Sequence, residues 1–177
     1  HGHTIIHSPE RGITFQAGRG DIIAERTGIT TVYDFRQEDV KKGGQGAPLV
    51  PVGDKLLFSE FSHCLNLGGF SNISFDQNEQ RTAFDICPVN TILNHYAKEL
   101  KKEFDEEGKL GRQGKLNIDL LNDLNFNAFY AKSPPKSLNK SFVDEMIQSI
   151  SRYNIEVADI LFTLYEHISI QIASVIK

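Results

Sequence analysis

The sequence predicts an α/β protein, and three observations carry the prediction. A short helical stretch, 20–27, sits between two strand-like runs at 3–7 and 13–17 and a β-branched run at Ile29 to Tyr33. A second block, 64–86, holds short alternating polar and apolar segments separated by turn residues. Helical spacing then takes over, in Ile92, Leu93, Tyr96, Ala97 and Leu100 and again in Val157, Ile160, Leu161, Leu164, Ile168, Ile172 and Val175.

Taken in order, Pro9, Arg11 and Gly12 punctuate the first two strands. Asp21 is the expected N-cap of the 20–27 helix and Gly28 its stop. The run Ile29–Tyr33 predicts a strand that ends on Asp34. Residues 34–54 read as loop and broken helix, because Pro48 and Pro51 limit a helix there. Gly43-Gly44-Gln45-Gly46 makes a flexible bend closed by Ala47-Pro48. Leu56 to Phe58 predicts a short strand, and 64–86 a three-strand meander. Pro88 suits the first turn of a helix running to about Lys102. The charged, glycine-bearing stretch 101–115 reads as a surface connection, followed by a short helix at 117–124 and an irregular segment to Leu138. Ser141 is the expected cap of a helix reaching Tyr153, and Asn154 the cap of the last one. His167 lies beside the last apolar stripe, where a histidine is more often a packed or surface residue than a ligand.

The 177 residues carry a net charge of −4 with 40% hydrophobic content, which argues against a nucleic-acid or anionic-membrane surface. No apolar run approaches the roughly 20 residues of a membrane span, and no signal peptide is visible. Cys64 and Cys87 are isolated thiols without metal spacing, the pattern of buried reduced cysteines in a cytoplasmic protein. The chain opens on His1, has Met146 as its only methionine and ends without a helix stop, so it reads as an internal piece of a longer protein.

Three carboxylates, Asp34, Asp39 and Asp85, follow or end strand-like runs. Paired acids of this kind suit general acid–base work, but spacing alone does not place them in one cleft. His1, His3 and His7 alternate without an acid or cysteine to complete a site, which supports adventitious metal binding at most. Gly68-Gly69, after Leu65-Asn66-Leu67, could let backbone N–H groups approach a phosphate, or could simply turn a hairpin. Neither a Walker A nor a GxGxxG pattern occurs.

Several runs, in order, resemble one family. Asp34-Phe35-Arg36 through Pro48 resembles the signature of the anhydro-N-acetylmuramic acid kinases, bacterial sugar kinases with an actin-like fold. His1-Gly2-His3-Thr4, Phe15-Gln16-Ala17-Gly18 and Glu25 to Thr30 are similar to segments that precede that signature. Leu65 to Asn72 resembles the family's second phosphate segment, Phe84 to Asn90 its Phe-Asp-Thr-Gly-Pro-Gly-Asn turn, Gly111 to Gly114 its Ala-Gln-Gly approach to a helix, and Pro134 to Ser137 its Pro-Pro-Lys-Ser. Ile86, Cys87 and Val89 depart from the family's small or hydroxylic residues, and Asn139-Lys140-Ser141 from its Gly-Arg/Lys-Glu. The family's Met-Ser-Gly-Thr-Ser and Gly-Gly-Gly nucleotide segments have no counterpart between His1 and Lys177.

The resemblance implies a two-lobe, ribonuclease H-like sugar kinase fold, with 1–55 ending the first lobe and 56–177 forming most of the second. It implies ATP and Mg²⁺ as cofactors, a homodimer as the common assembly, and phosphorylation of 1,6-anhydro-N-acetylmuramic acid with hydrolytic ring opening. Asp34 matches the family's base. Gly43, Gly44, Gln45 and Gly46 would shape the sugar site, and Asn66, Gly68, Gly69 and Asn72 the phosphate site. Two other readings stand beside it: a catalytically silent sugar-binding or interaction fragment, and an anhydrosugar hydrolase that works without ATP.

Overall fold

The computed structural model describes residues 3–78 and 80–176. His1 and Gly2, which open the family-like His-Gly-His-Thr run, lie outside them. The N-terminal part is an antiparallel hairpin, β1 (Thr4–Ser8) and β2 (Ile13–Gln16), followed by α1 (Gly20–Thr27), α2 (Phe35–Lys41) and α3 (Pro51–Leu57). An antiparallel meander follows, β3 (His63–Leu67), β4 (Phe70–Gln77) and β5 (Gln80–Pro88). Helices α4 (Asn90–Glu99), α5 (Ile118–Asn125), α6 (Lys140–Ile150) and α7 (Val157–Ile176) complete a mixed α/β structure.

The meander divides its faces. Ile73, Phe84 and Ile86 point into a core shared with Ile92, Leu120, Ile150, Leu161 and Leu164. On the other face α3 crosses β4 and β5, tied to the sheet where the Ser74 hydroxyl donates to the Asp54 carboxylate. The β4–β5 register passes from Ser71 opposite Cys87 to Asn72 opposite Asp85, so Ile86 is an extra residue on β5. Such a bulge reverses the pleat locally. Phe84, Ile86 and Cys87 therefore all join the core, while Asp85 stays on the opposite face.

Several sequence expectations are corrected. Residues 29–33 form no strand: they run without ladder partners among the described residues, and Ile29 and Val32 are 68% and 70% exposed. β-propensity builds a strand only against a neighbour. Leu56 and Leu57 end a helix rather than start a strand, because Pro51 occupies the first turn of α3, where its missing N–H costs nothing. Asp21 lies inside the first turn of α1, bound by Arg19, and Gly28 closes the helix in the left-handed region as expected. Asn139 caps α6 in place of Ser141, accepting from Phe142 N–H, and α7 starts at Val157, beyond Asn154.

The stretch 101–115 is no loose connection. The Asp105 carboxylate accepts Leu110 N–H (2.7 Å), Gly111 N–H (2.9 Å) and the Tyr165 hydroxyl (3.1 Å). A Cβ on Gly114 would overlap the Ala158 backbone, so only glycine lets the chain pass α7 there. Against the expectation of no such run, α7 has the length and the mean hydropathy, 1.2, of a membrane-spanning helix. Here its apolar stripe is the core: Ile160, Leu161, Leu164 and Ile168 are buried, together with Thr163, His167 and Gln171.

His167 is fully buried and neutral. Its Nδ1–H donates to Asn125 Oδ1 (2.7 Å), which also accepts from Gln171 Nε2 (2.8 Å). Its Nε2 accepts from the Tyr130 hydroxyl (2.9 Å). Burial lowers its pKa to about 4. The folded pKa lies below the unfolded value, so this stability is present above pH 6.5 and is lost as pH falls toward 4. The loss amounts to about 3 kcal/mol. In urea unfolding at a series of pH values, His167→Gln is expected to flatten that acid limb. An unchanged slope would contradict the buried neutral state.

Candidate active site

Asp34 sits at the head of α2 with φ 65° and ψ 22°, a left-handed backbone that aspartate tolerates better than most residues. Its carbonyl accepts Glu38 N–H (2.9 Å), but its carboxylate makes no capping bond. The acid is exposed and unspent, so the simplest alternative, an aspartate that only caps its own helix, does not hold. Tyr33 packs against Gly20, where any Cβ would overlap the ring. Both line a small cleft of about 110 Å³ with Asp34, Gln16 and Arg36.

Asp39 does the opposite work. Its Oδ2 accepts Gly46 N–H (2.7 Å), and a Cβ on Gly44 would overlap its carboxylate. Arg36 Nη1 donates to Gly46 O (2.6 Å). Gly43 and Gly46 adopt φ 87° and 65°, which glycine alone takes readily. The Gly43–Gly46 bend is thus strapped to α2 rather than flexible. Gln45 reaches away from it, its Oε1 3.5 Å from the Ser137 hydroxyl.

A larger cleft of about 1040 Å³ opens between the N-terminal hairpin and the sheet. The chain joins its wall at Ala47, one residue past the bend. Asn66, Asn72 and Asp85 are direct cross-strand neighbours on β3, β4 and β5, and all three line it with Gly68 and Gly69. Gly69 O accepts Val89 N–H, Thr91 N–H and the Thr91 hydroxyl, so the turn is docked on the start of α4. A Cβ on Gly68 would meet nothing nearer than 3.6 Å, which leaves its backbone accessible.

The four phosphate-segment residues therefore share one cavity, as the resemblance implies. Asp34 does not share it; Arg36 is the wall common to both clefts. The departures Ile86, Cys87 and Val89 turn into the core and do not narrow the cleft.

Sequence reasoning gave no role to three residues here. Asp85 is 5% exposed and accepts Leu138 N–H at 2.8 Å. Burial raises its pKa to about 6, against the pull of that N–H and of the Arg36 guanidinium. Arg36 is itself lowered by burial and raised by Asp85. His7, lowered by burial and then by Arg36, leaves Nε2 without a hydrogen-bond partner among the described residues. The signals were only a strand-end acid, an arginine two residues past Asp34 and an alternating histidine. Their meeting depends on tertiary packing.

These features define a mixed α/β protein with a polar, glycine-lined ligand cleft. The sequence profile of the anhydro-N-acetylmuramic acid kinases matches residues 1–177, and the chain belongs to that family. Relatives named anhydro-N-acetylmuramic acid kinase agree. One from Zymomonas mobilis is 39% identical over 88% of this chain and 44% of its own length. One from Idiomarina loihiensis is 38% identical over 97% and 49%. One from Pasteurella multocida is 43% identical over 79% and 39%. The chain spans less than half the length of these relatives.

Gly44→Ala is expected to destabilise the chain by about 1–3 kcal/mol through overlap with Asp39. Gly53→Ala, where a Cβ meets nothing within 4 Å, should be tolerated. Thermal unfolding of both variants checks the strapped bend; equal stabilities would argue against it.

Proposed function

We propose that the chain forms part of an actin-like, ribonuclease H-like sugar kinase that converts 1,6-anhydro-N-acetylmuramic acid into N-acetylmuramic acid 6-phosphate, a step of cell-wall recycling. Residues 1–55 belong to the first lobe and 56–177 to the second. The observation that carries this reading is the unspent, left-handed Asp34 inside a chain that matches the kinase family from end to end. The protein is cytoplasmic in this reading, and its assembly is a homodimer.

Asp34 accepts a proton from the water that attacks the anomeric carbon, as the base of an inverting glycosidase does. Gly43, Gly44, Gln45 and Gly46, held by Asp39 and Arg36, support the sugar side. ATP supplies the phosphoryl group transferred to O6. Asn66 and Asn72 offer amide groups on the cleft wall, and Gly68 offers an open backbone beside Gly69, a donor set that fits phosphate oxygens. No group of three or more metal-binding side chains forms among the described residues, and no step is routed through Mg²⁺.

A second reading, a sugar-binding fragment without turnover, is favoured by the fraction of the relatives that the chain spans. The test is product formation from the anhydrosugar with and without ATP. Product only with ATP supports the kinase, product without ATP a hydrolase, and binding without product the silent fragment. In the active protein, Asp34→Asn should lower turnover by about 10²–10⁴-fold, the usual contribution of a general base. Unchanged turnover would remove Asp34 from the role.

A further inference from the structure

We propose that Asp85 is a positioning residue: across the wall of the larger cleft it holds the Arg36 guanidinium, and through Arg36 it fixes the turn that presents Asp34. The proposal rests on the reading of Asp34 as the base, but its geometry stands apart from that reading.

The bulge at Ile86 comes first. It sends the residues on both sides of the pleat into the core and leaves Asp85 facing the cleft beside Asn72. Asp85 is then held from the far side. Its N–H donates to Lys136 O (3.1 Å), and its Oδ2 accepts Leu138 N–H (2.8 Å). Lys136 is anchored in turn, its ammonium 4.9 Å from the Phe129 ring centroid and 5.6 Å from that of Phe84. The carboxylate is therefore a fixed point.

Arg36 is the element that this fixed point can act on. It lines the same cleft, and the opposite charges of Asp85 and Arg36 favour each other's ionised form. Arg36 also governs both ends of α2. It lies two residues after Asp34, and its guanidinium grips Gly46 O beyond the other end (2.6 Å). Its stem fills the space beside Gly46, where a Cβ would come within 2.9 Å of Arg36 Cγ. Shifting the guanidinium would move Asp34 and the bend together.

A purely structural role does not account for a carboxylate at this position. Burial opposes its charge, whereas an asparagine could accept the same Leu138 N–H without carrying one. The other charged or titratable groups on this cleft are His7 from β1, His95 from α4, and Lys140 and Asp144 from α6. Of these, His7 also feels Arg36, so it needs its own control.

The test is a pH titration of the isotope-labelled full chain by NMR. It follows the Asp85 carboxyl carbon and the amides of Glu38, which donates to Asp34 O, and of Gly46. In the wild type and in His7→Gln both amides should follow the Asp85 titration, with a midpoint near about 6. In Asp85→Asn they should stay flat. Flat amides in the wild type, a step that survives in Asp85→Asn, or a step lost in His7→Gln would overturn the proposal. Should Asp85→Asn fail to fold, Arg36→Met serves instead: Asp85 still titrates, and the two amides no longer follow it. In a protein that turns over, Asp85→Asn should lower kcat by about a hundredfold with KM little changed, the pattern of a misplaced group. A wild type without turnover would count against the role of Asp34 while the amide titration still decides the role of Asp85.

Discussion

The buried Asp85 carboxylate is the constraint around which the cleft is arranged. Three chain segments converge on it: β5, which carries it; 136–138, which bonds to it through Lys136 O and Leu138 N–H; and α2, whose Arg36 answers its charge. None of this would reach the cleft without the extra residue Ile86. A regular β5 would turn Cys87 toward the same face as Asp85. The bulge instead lets four successive residues, Phe84 to Cys87, be buried for two different purposes.

The three aspartates that stand out in the sequence divide the labour. Asp39 spends its carboxylate on Gly46 N–H and Asp85 on Leu138 N–H. Each of these bonds takes a backbone donor from a segment with no ladder of its own, and a charged acceptor makes such bonds stronger than neutral ones. Asp34 alone spends nothing on the backbone, although it occupies a helix N-cap position where aspartate ordinarily would. Its left-handed backbone turns the side chain away from that duty. An acid kept free by its own dihedral angles is consistent with a base that waits for a substrate proton.

Much of this was legible in the sequence, and the failures share a cause. The hairpin, the meander, the α7 stripe and the Asn66–Gly68–Gly69–Asn72 group follow from local alternation and spacing. Residues 29–33 misled because β-branched composition reports a preference for pairing, not the presence of a partner. Pro51 misled because a proline that breaks a helix interior also starts one. The Gly43–Gly46 bend read as flexible because sequence shows the glycines but not the Asp39 carboxylate that closes on them. Asp85, Arg36 and His7 come from β5, α2 and β1, and no spacing rule brings those elements together.

If the cleft wall is preassembled, its two carboxylate-bound amides should be slow to exchange with solvent before any ligand arrives. Amide hydrogen exchange of the ligand-free chain at Gly46 and Leu138, read against their neighbours Gln45 and Ser137, measures this directly. The account predicts clear protection at Gly46 and Leu138 relative to those neighbours. Exchange of Gly46 and Leu138 at the rate of an unstructured peptide would contradict it.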